Sequence, residues 1–164
     1  MTTEHKAKIQ IHLALPQKIV IIPHRNPDGD AMGSTLGLAH FLKKMNHEVV
    51  VIAPNEFPDF LAWLPESENV LIFEKNIENC TKIIEQTDLI FTLDFNALHR
   101  TGEIMEKILE KSTATFIMID HHELPGNYST FTFSSITYGS TCEMVYDFIY
   151  ELGYEQFIDK NVAT

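Results

Sequence analysis

The chain has 164 residues, 45% of them hydrophobic and 10% aromatic, with a formal net charge of −11. That length and apolar content support one globular domain with a buried core. Nothing approaches the roughly 20 consecutive apolar residues of a spanning helix, no apolar signal core follows the opening Met-Thr-Thr-Glu-His-Lys, and the acidic balance disfavours a domain that tracks a long polyanion. The expectation is a cytoplasmic protein with no membrane contact.

Residues 5–15 carry two periods. Ile9, Ile11, Leu13 and Leu15 alternate, while Ala7, Ile11 and Ala14 keep helical spacing; a helix closed by Pro16 is favoured. Residues 18–22, Lys-Ile-Val-Ile-Ile, form a short β-branched run that reads as a strand buried on both faces. The turn Asn26-Pro-Asp-Gly29 follows, then a helix from about residue 32 to 46 with Leu38, Phe41, Leu42 and Met45 on one face. Residues 48–52 make strand two. Pro54, Pro58 and Pro65 bracket one short helix over 60–63. Residues 70–73 make strand three. Ile77, Cys80 and Ile84 mark a helix, 89–93 a fourth strand, and Ile104, Met105, Ile108 and Leu109 another helix. Residues 114–119 are the fifth strand and 131–136 a weaker sixth. Met144, Val145, Phe148, Ile149 and Leu152 then mark a helix ending at Gly153.

This repeated β-α-β order predicts an α/β fold: a mostly parallel, twisted sheet of about five strands with helices on both faces. The end, Asp159-Lys-Asn-Val-Ala-Thr164, carries no helix-stop signal. Residues 1–164 therefore read as one domain cut from something longer. Cys80 and Cys142 lie in no metal-ligand spacing and read as reduced interior thiols.

Open parallel sheets bind ligands beyond the carboxyl ends of their strands. The first strand runs into His24, Asp28 and Asp30, the fourth ends in Asp94, and the fifth in Asp120-His121-His122. All three ends fall on one edge. Two carboxylates about 4 Å apart repel by on the order of 4 kcal/mol at an effective dielectric of about 20, so such a cluster requires raised pKa values or cations. Mixed carboxylate and imidazole donors suit Mn²⁺, Co²⁺ or Zn²⁺, whereas Mg²⁺ favours oxygen alone. Two such ions can share a bridging hydroxide and clamp a phosphoryl centre. Each piece alone has a plainer reading: Asn26-Pro-Asp-Gly29 is a strong turn, Asp30 or Ser34 could cap the helix, and Asp94 could cap a helix starting near residue 97. Tandem histidines closing an apolar strand have no packing use, and the joint occurrence favours metal. His5, His12, His40, His47 and His99 have no such placement and read as ordinary polar residues.

Residues 24–34, His-Arg-Asn-Pro-Asp-Gly-Asp-Ala-Met-Gly-Ser, resemble the first motif of the DHH phosphoesterase superfamily. Thr92-Leu-Asp-Phe95 with Arg100 and Gly102 resembles its second, Asp120-His121-His122 its naming signature, and Tyr138-Gly-Ser-Thr-Cys-Glu143 a further motif of the exonuclease-like branch. The likeness covers roughly residues 18 to 152. It implies that His24 and Asp28 hold one ion, Asp30 and His121 the other, and that Asp94 bridges them. It implies that Asp120 orients His121 from behind and that His122 faces the substrate phosphate and stabilises charge. Ser34, Gly139 and Ser140 would offer amides to a phosphate or simply cap helices. Arg100 would pair with a site carboxylate or lie on the surface. Two divalent ions are implied, Mn²⁺ first, with Mg²⁺, Co²⁺ and Zn²⁺ as alternatives.

The resemblance also implies a later metal-binding aspartate and a second, substrate-binding domain with a Gly-Gly-Gly-His-type loop, neither of which lies in these residues. The expected activity is hydrolysis of phosphodiester or phosphomonoester bonds in short oligonucleotides or bisphosphorylated nucleotides. The alternatives are a cyclic-dinucleotide phosphodiesterase, a pyrophosphatase- or exopolyphosphatase-like hydrolase, and a non-catalytic nucleotide-binding module. The basic residues, such as Lys43, Lys44, Lys107 and Lys111, form no stripe for a long strand. Homodimer formation is left open.

Overall fold

The apolar runs of the sequence become the strands of a single sheet. The structure, a computed structural model, describes residues 2–164. Its elements are α1 (Thr3–Leu13), β1 (Lys18–Pro23), α2 (Gly29–Lys44), β2 (Glu48–Ala53), β3 (Leu71–Ile72) and α3 (Ile77–Glu85). After these come β4 (Leu89–Leu93), α4 (Glu103–Leu109), β5 (Thr115–Asp120), β6 (Phe131–Ser134) and α5 (Thr141–Glu151). The sheet has six strands in the order β3-β2-β1-β4-β5-β6, and every neighbouring pair is parallel.

Alternate residues of the strands face opposite layers, as the period of two requires. Ile19, Ile21, Leu89, Phe91, Ile117 and Ile119 pack with α1, α2 and α5 on one face. Val20, Ile22, Ile90 and Phe116 pack with α3 and α4 on the other. Both faces of β1, β4 and β5 are covered, which accounts for their unbroken apolar runs. Among the described residues no helix is long and apolar enough to cross a membrane.

The expected class holds, with local differences. The weak sixth strand forms, because Phe131 and Phe133 are buried while Thr132 points to solvent. Strand three shrinks to two residues because Phe73 already opens a 3-10 turn, Phe73–Lys75. The single short helix of 60–63 is replaced by two 3-10 turns, Asp59–Leu61 and Ser67–Asn69. Helix α2 begins at Gly29, three residues early, because Asp28 is the cap: its carboxylate accepts the amides of Asp30 and Ala31. Cys80 is buried as expected, but Cys142 is exposed. His47 is also interior; its Nδ1 accepts the Gln17 amide at 3.1 Å, and burial lowers its pKa.

The α5 layer is fastened by aromatic contacts. Phe148 is fully buried, with ring centroids 6.1 Å from Phe91 and 6.0 Å from Phe133. Phe148→Ala is expected to destabilise the fold by roughly 3–5 kcal/mol, measured by denaturant unfolding. A loss under about 1 kcal/mol, within the range of an ordinary surface change, would place α5 outside the cooperative core.

Candidate metal centre

The central strands set the site's geometry. β1 pairs with β2 on one side and β4 on the other, so the chain order reverses at the β1–β4 boundary, where open sheets leave a crevice. Pro23 is level with Leu93, and Leu93 with Ile119. The next residues, His24, Asp94 and Asp120, therefore leave three adjacent strands at one height.

Asp94 is the centre of the cluster. It is 2% exposed and has a left-handed backbone, φ 65°, with its amide bonded to the Ile119 carbonyl at 3.1 Å. A non-glycine residue in that region carries strain and persists only where its surroundings hold it. Its two oxygens face opposite ways. Oδ2 lies 3.5 Å from His24 Nε2; Oδ1 lies 3.4 Å from His121 Nε2 and 3.9 Å from His122 Nδ1. Two groups of ligand atoms result, His24–Asp28–Asp94 and Asp94–His121–His122, each with its atoms within 4.8 Å of one another.

These spacings fit a cation. Two donors about 2.1 Å from a shared ion are about 3.0–3.4 Å apart, whereas a charge-assisted hydrogen bond closes to about 2.8 Å. His24 Nδ1 bonds the Arg25 carbonyl at 2.8 Å, and His121 Nδ1 faces the Tyr138 carbonyl at 3.4 Å. In both rings Nε2 is left turned toward the carboxylates, the tautomer that metal-binding histidines take. Two lone pairs facing each other repel unless a proton or an ion lies between them. In the metal-free protein the Asp94 carboxylate raises the His24 pKa, opposed by burial and supported by the Arg25 carbonyl and the charge of Asp28.

Asp28 is exposed and caps α2 through Oδ1, leaving Oδ2 free. Asp30 lies in the first turn of the same helix, with Oδ2 3.7 Å from His121 Nε2. Its carboxylate also receives the first amides of α5: Thr141 N–H to Oδ2 at 2.7 Å and Cys142 N–H to Oδ1 at 2.9 Å. Two of its roughly four lone-pair sites are thus taken. The loop after β1 is braced from outside. Asn26, itself left-handed, exchanges hydrogen bonds with Asn55, and the Arg25 guanidinium pairs with Glu74.

The five expected ligands, His24, Asp28, Asp30, Asp94 and His121, come together. Other expectations need correction. Asp120 does not face His121: its Oδ1 accepts from His122 Nδ1 at 2.7 Å, and Oδ2 is buried with no hydrogen-bond partner among the described residues. Residues two apart on an extended chain share a side, a signal that the sequence does carry. Ser34 is buried inside α2 with its hydroxyl on the Ala31 carbonyl. Ser140 is the cap of α5, accepting the Glu143 amide at 3.1 Å, and Glu143 takes the Gly139 amide at 3.2 Å. The Ser34 hydroxyl and the Gly139 amide are thus engaged within the protein, and the Ser140 oxygen serves as a helix cap. The Arg100 guanidinium is exposed and makes no ion pair among the described residues; the residue acts through its carbonyl, which accepts the Arg25 amide at 2.8 Å. Thr141, whose hydroxyl donates to Asp94 Oδ1 at 2.8 Å, is absent from the expected site residues. Its signal in the sequence is a second capping-type residue directly after Ser140, where only one is needed.

Residues 18–164 match the family described as DHH family, N-terminal domain. A 55-residue stretch is 44% identical to the bifunctional oligoribonuclease and PAP phosphatase NrnA of Thermus thermophilus, covering 34% of this chain and 16% of that enzyme. The fold superimposes on an exopolyphosphatase-related protein from Bacteroides fragilis with a TM-score of 0.95 at 41% identity, covering 98% of this chain and 47% of that one. It also matches the fold of RecJ from Thermus thermophilus, solved with Mn²⁺, with a TM-score of 0.52 at 17% identity, covering 92% of this chain and 21% of RecJ. The chain thus spans less than half the length of each of these relatives.

The raised His24 pKa has a testable sign. A histidine whose folded pKa lies above the ordinary value of about 6.5 stabilises the fold fully below that value and loses the contribution as pH rises through the folded pKa. Without metal, the wild-type protein should melt above His24→Gln at about pH 5.5, and the gap should shrink by about pH 8. Thermal unfolding in chelator measures it, and a gap that widens with pH would contradict the His24–Asp94 pairing.

Proposed function

The chain belongs to the DHH family, and from that membership we propose that it is the metal-binding half of a cytoplasmic phosphoesterase that works with two divalent ions. The observation that carries this reading is the division of Asp94, one oxygen toward His24 and Asp28 and the other toward His121, at 3.4–3.5 Å from the two Nε2 atoms. When bound, the ions supply a water of lowered pKa and the positive charge that a phosphoryl group demands of so acidic a protein.

The residues have separable tasks. His24 and Asp28 would hold one ion, Asp30 and His121 the other, and Asp94 would be shared between them. The carbonyls of Arg25 and Tyr138 keep Nδ1 of each imidazole occupied. Asp120, fully buried, holds the His122 ring by Nδ1. That leaves His122 Nε2, on a half-exposed side chain, to meet a substrate oxygen and hold a proton there, as a carboxylate-oriented imidazole does in other hydrolases. Mn²⁺ is the preferred ion because the donors mix carboxylate with imidazole, and RecJ, which shares the fold, has been solved with it.

For substrate we propose short oligonucleotides or a bisphosphorylated nucleotide. The net charge of −11 leaves a long strand without counter-charge, and the Thermus relative carries both an oligoribonuclease and a PAP phosphatase activity in its name.

In the full-length protein, Asp94→Asn should lower turnover by at least roughly 10²–10³-fold without loss of fold, because a neutral amide cannot serve two cations. Steady-state hydrolysis with added Mn²⁺, alongside circular dichroism, measures it; near-normal rates would remove Asp94 from the shared position. Turnover should also favour dinucleotides to oligomers of a few residues over long single strands. Processive digestion of long strands would overturn the substrate assignment.

A further inference from the structure

We infer that Thr141 is the positioning residue that fixes the Asp94 carboxylate across the two halves of the site. This rests on the two-ion reading above. Thr141 is fully buried and touches both central carboxylates. Its hydroxyl donates to Asp94 Oδ1 at 2.8 Å, and its amide donates to Asp30 Oδ2 at 2.7 Å. It is the first residue of α5, so its amide needs no partner within the helix.

The hydroxyl bond is not a by-product of capping. Ser140 already caps α5, accepting the Glu143 amide. A threonine within a helix can turn its hydroxyl back to the preceding turn, as Thr81 does to the Ile77 carbonyl at 2.7 Å. At the first position of α5 no such carbonyl exists, and the hydroxyl points into the cluster.

Asp94 needs such a restraint. Its terminal torsion belongs to the broad, two-fold class, with no staggered well to hold it. Three imidazoles surround it, His24 on Oδ2 and His121 and His122 on Oδ1. A rotation that paired both oxygens with one ring would destroy the division that two ions require. The Thr141 hydroxyl occupies one lone pair of Oδ1 and leaves its other lone pair and all of Oδ2 available. The donor itself cannot drift. Cys142 donates its amide to Asp30, and its sulfur would lie 3.0 Å from any Cβ placed on Gly33, so α5 is seated hard against α2. Met144, Val145, Phe148 and Ile149 anchor the rest of the helix in the core.

Mn²⁺ titration calorimetry on the full-length protein tests this, with thermal unfolding of the metal-free forms as the control for folding. Wild type and Thr141→Ser, which keeps the hydroxyl, should bind two ions alike. Thr141→Val, of the same shape without the hydroxyl, should bind at least one ion roughly 10–100-fold more weakly, the usual effect of losing a partner that orients a ligand. A Thr141→Val protein that titrates like wild type overturns the inference. So does a Thr141→Ser protein as weak as Thr141→Val, since the methyl packing would then be what matters. If Thr141→Val does not fold, Thr141→Ala is compared with Thr141→Ser by the same measure. Wild-type protein that binds fewer than two Mn²⁺ overturns the two-ion reading itself, a failure distinct from the other two.

Discussion

A carboxylate that is 2% exposed, held in a left-handed backbone and ringed by imidazoles, is costly to build. Burying an ionised group disfavours the charged form unless a partner of opposite sign compensates. At Asp94 the compensation comes in layers: the Thr141 hydroxyl within hydrogen-bond distance, and His24 and His121 Nε2 at 3.4–3.5 Å. The last two are too far for strong hydrogen bonds and well spaced for a shared cation. Much of the surrounding architecture serves to keep that one group in place.

The sheet supplies the placement. Parallel pairing in register brings the ends of β1, β4 and β5 to one height, and the reversal of strand order at β1–β4 opens the crevice. The helices supply charge. Asp28 caps α2, and Asp30 accepts the first amides of α5, so the positive ends of both helices are turned on acidic side chains. The acidic cluster is therefore partly neutralised by backbone amides. The loops supply rigidity: Asn26 with Asn55, Arg25 with Glu74, and the Arg25 amide on the Arg100 carbonyl tie the loop after β1 to the segments after β2, β3 and β4.

How much of this is legible from the residues depends on how local each feature is. The buried strands are plain because β-branched runs such as 18–22 and 89–93 have one economical fate in a β-α-β chain. The convergence of His24, Asp28, Asp30, Asp94 and His121 follows from topology alone. The start of α2 is not legible, because Asp28, Asp30 and Ser34 are all competent caps and only the fold decides among them. The partner of Asp120 differs from the expected His121, although the alternation of an extended chain favours His122. The hydroxyl of Thr141 cannot be placed from sequence, since its acceptor is 47 residues away. Arg100 misleads for another reason: its contribution is a backbone carbonyl, which no side-chain pattern reports.

Anomalous scattering from crystals of the full-length protein soaked in Mn²⁺ tests the central claim most directly, because it locates ions without reference to activity. Two peaks should flank Asp94, one against His24 and Asp28 and the other against His121 and Asp30. A single peak, or peaks remote from Asp94, would contradict the account.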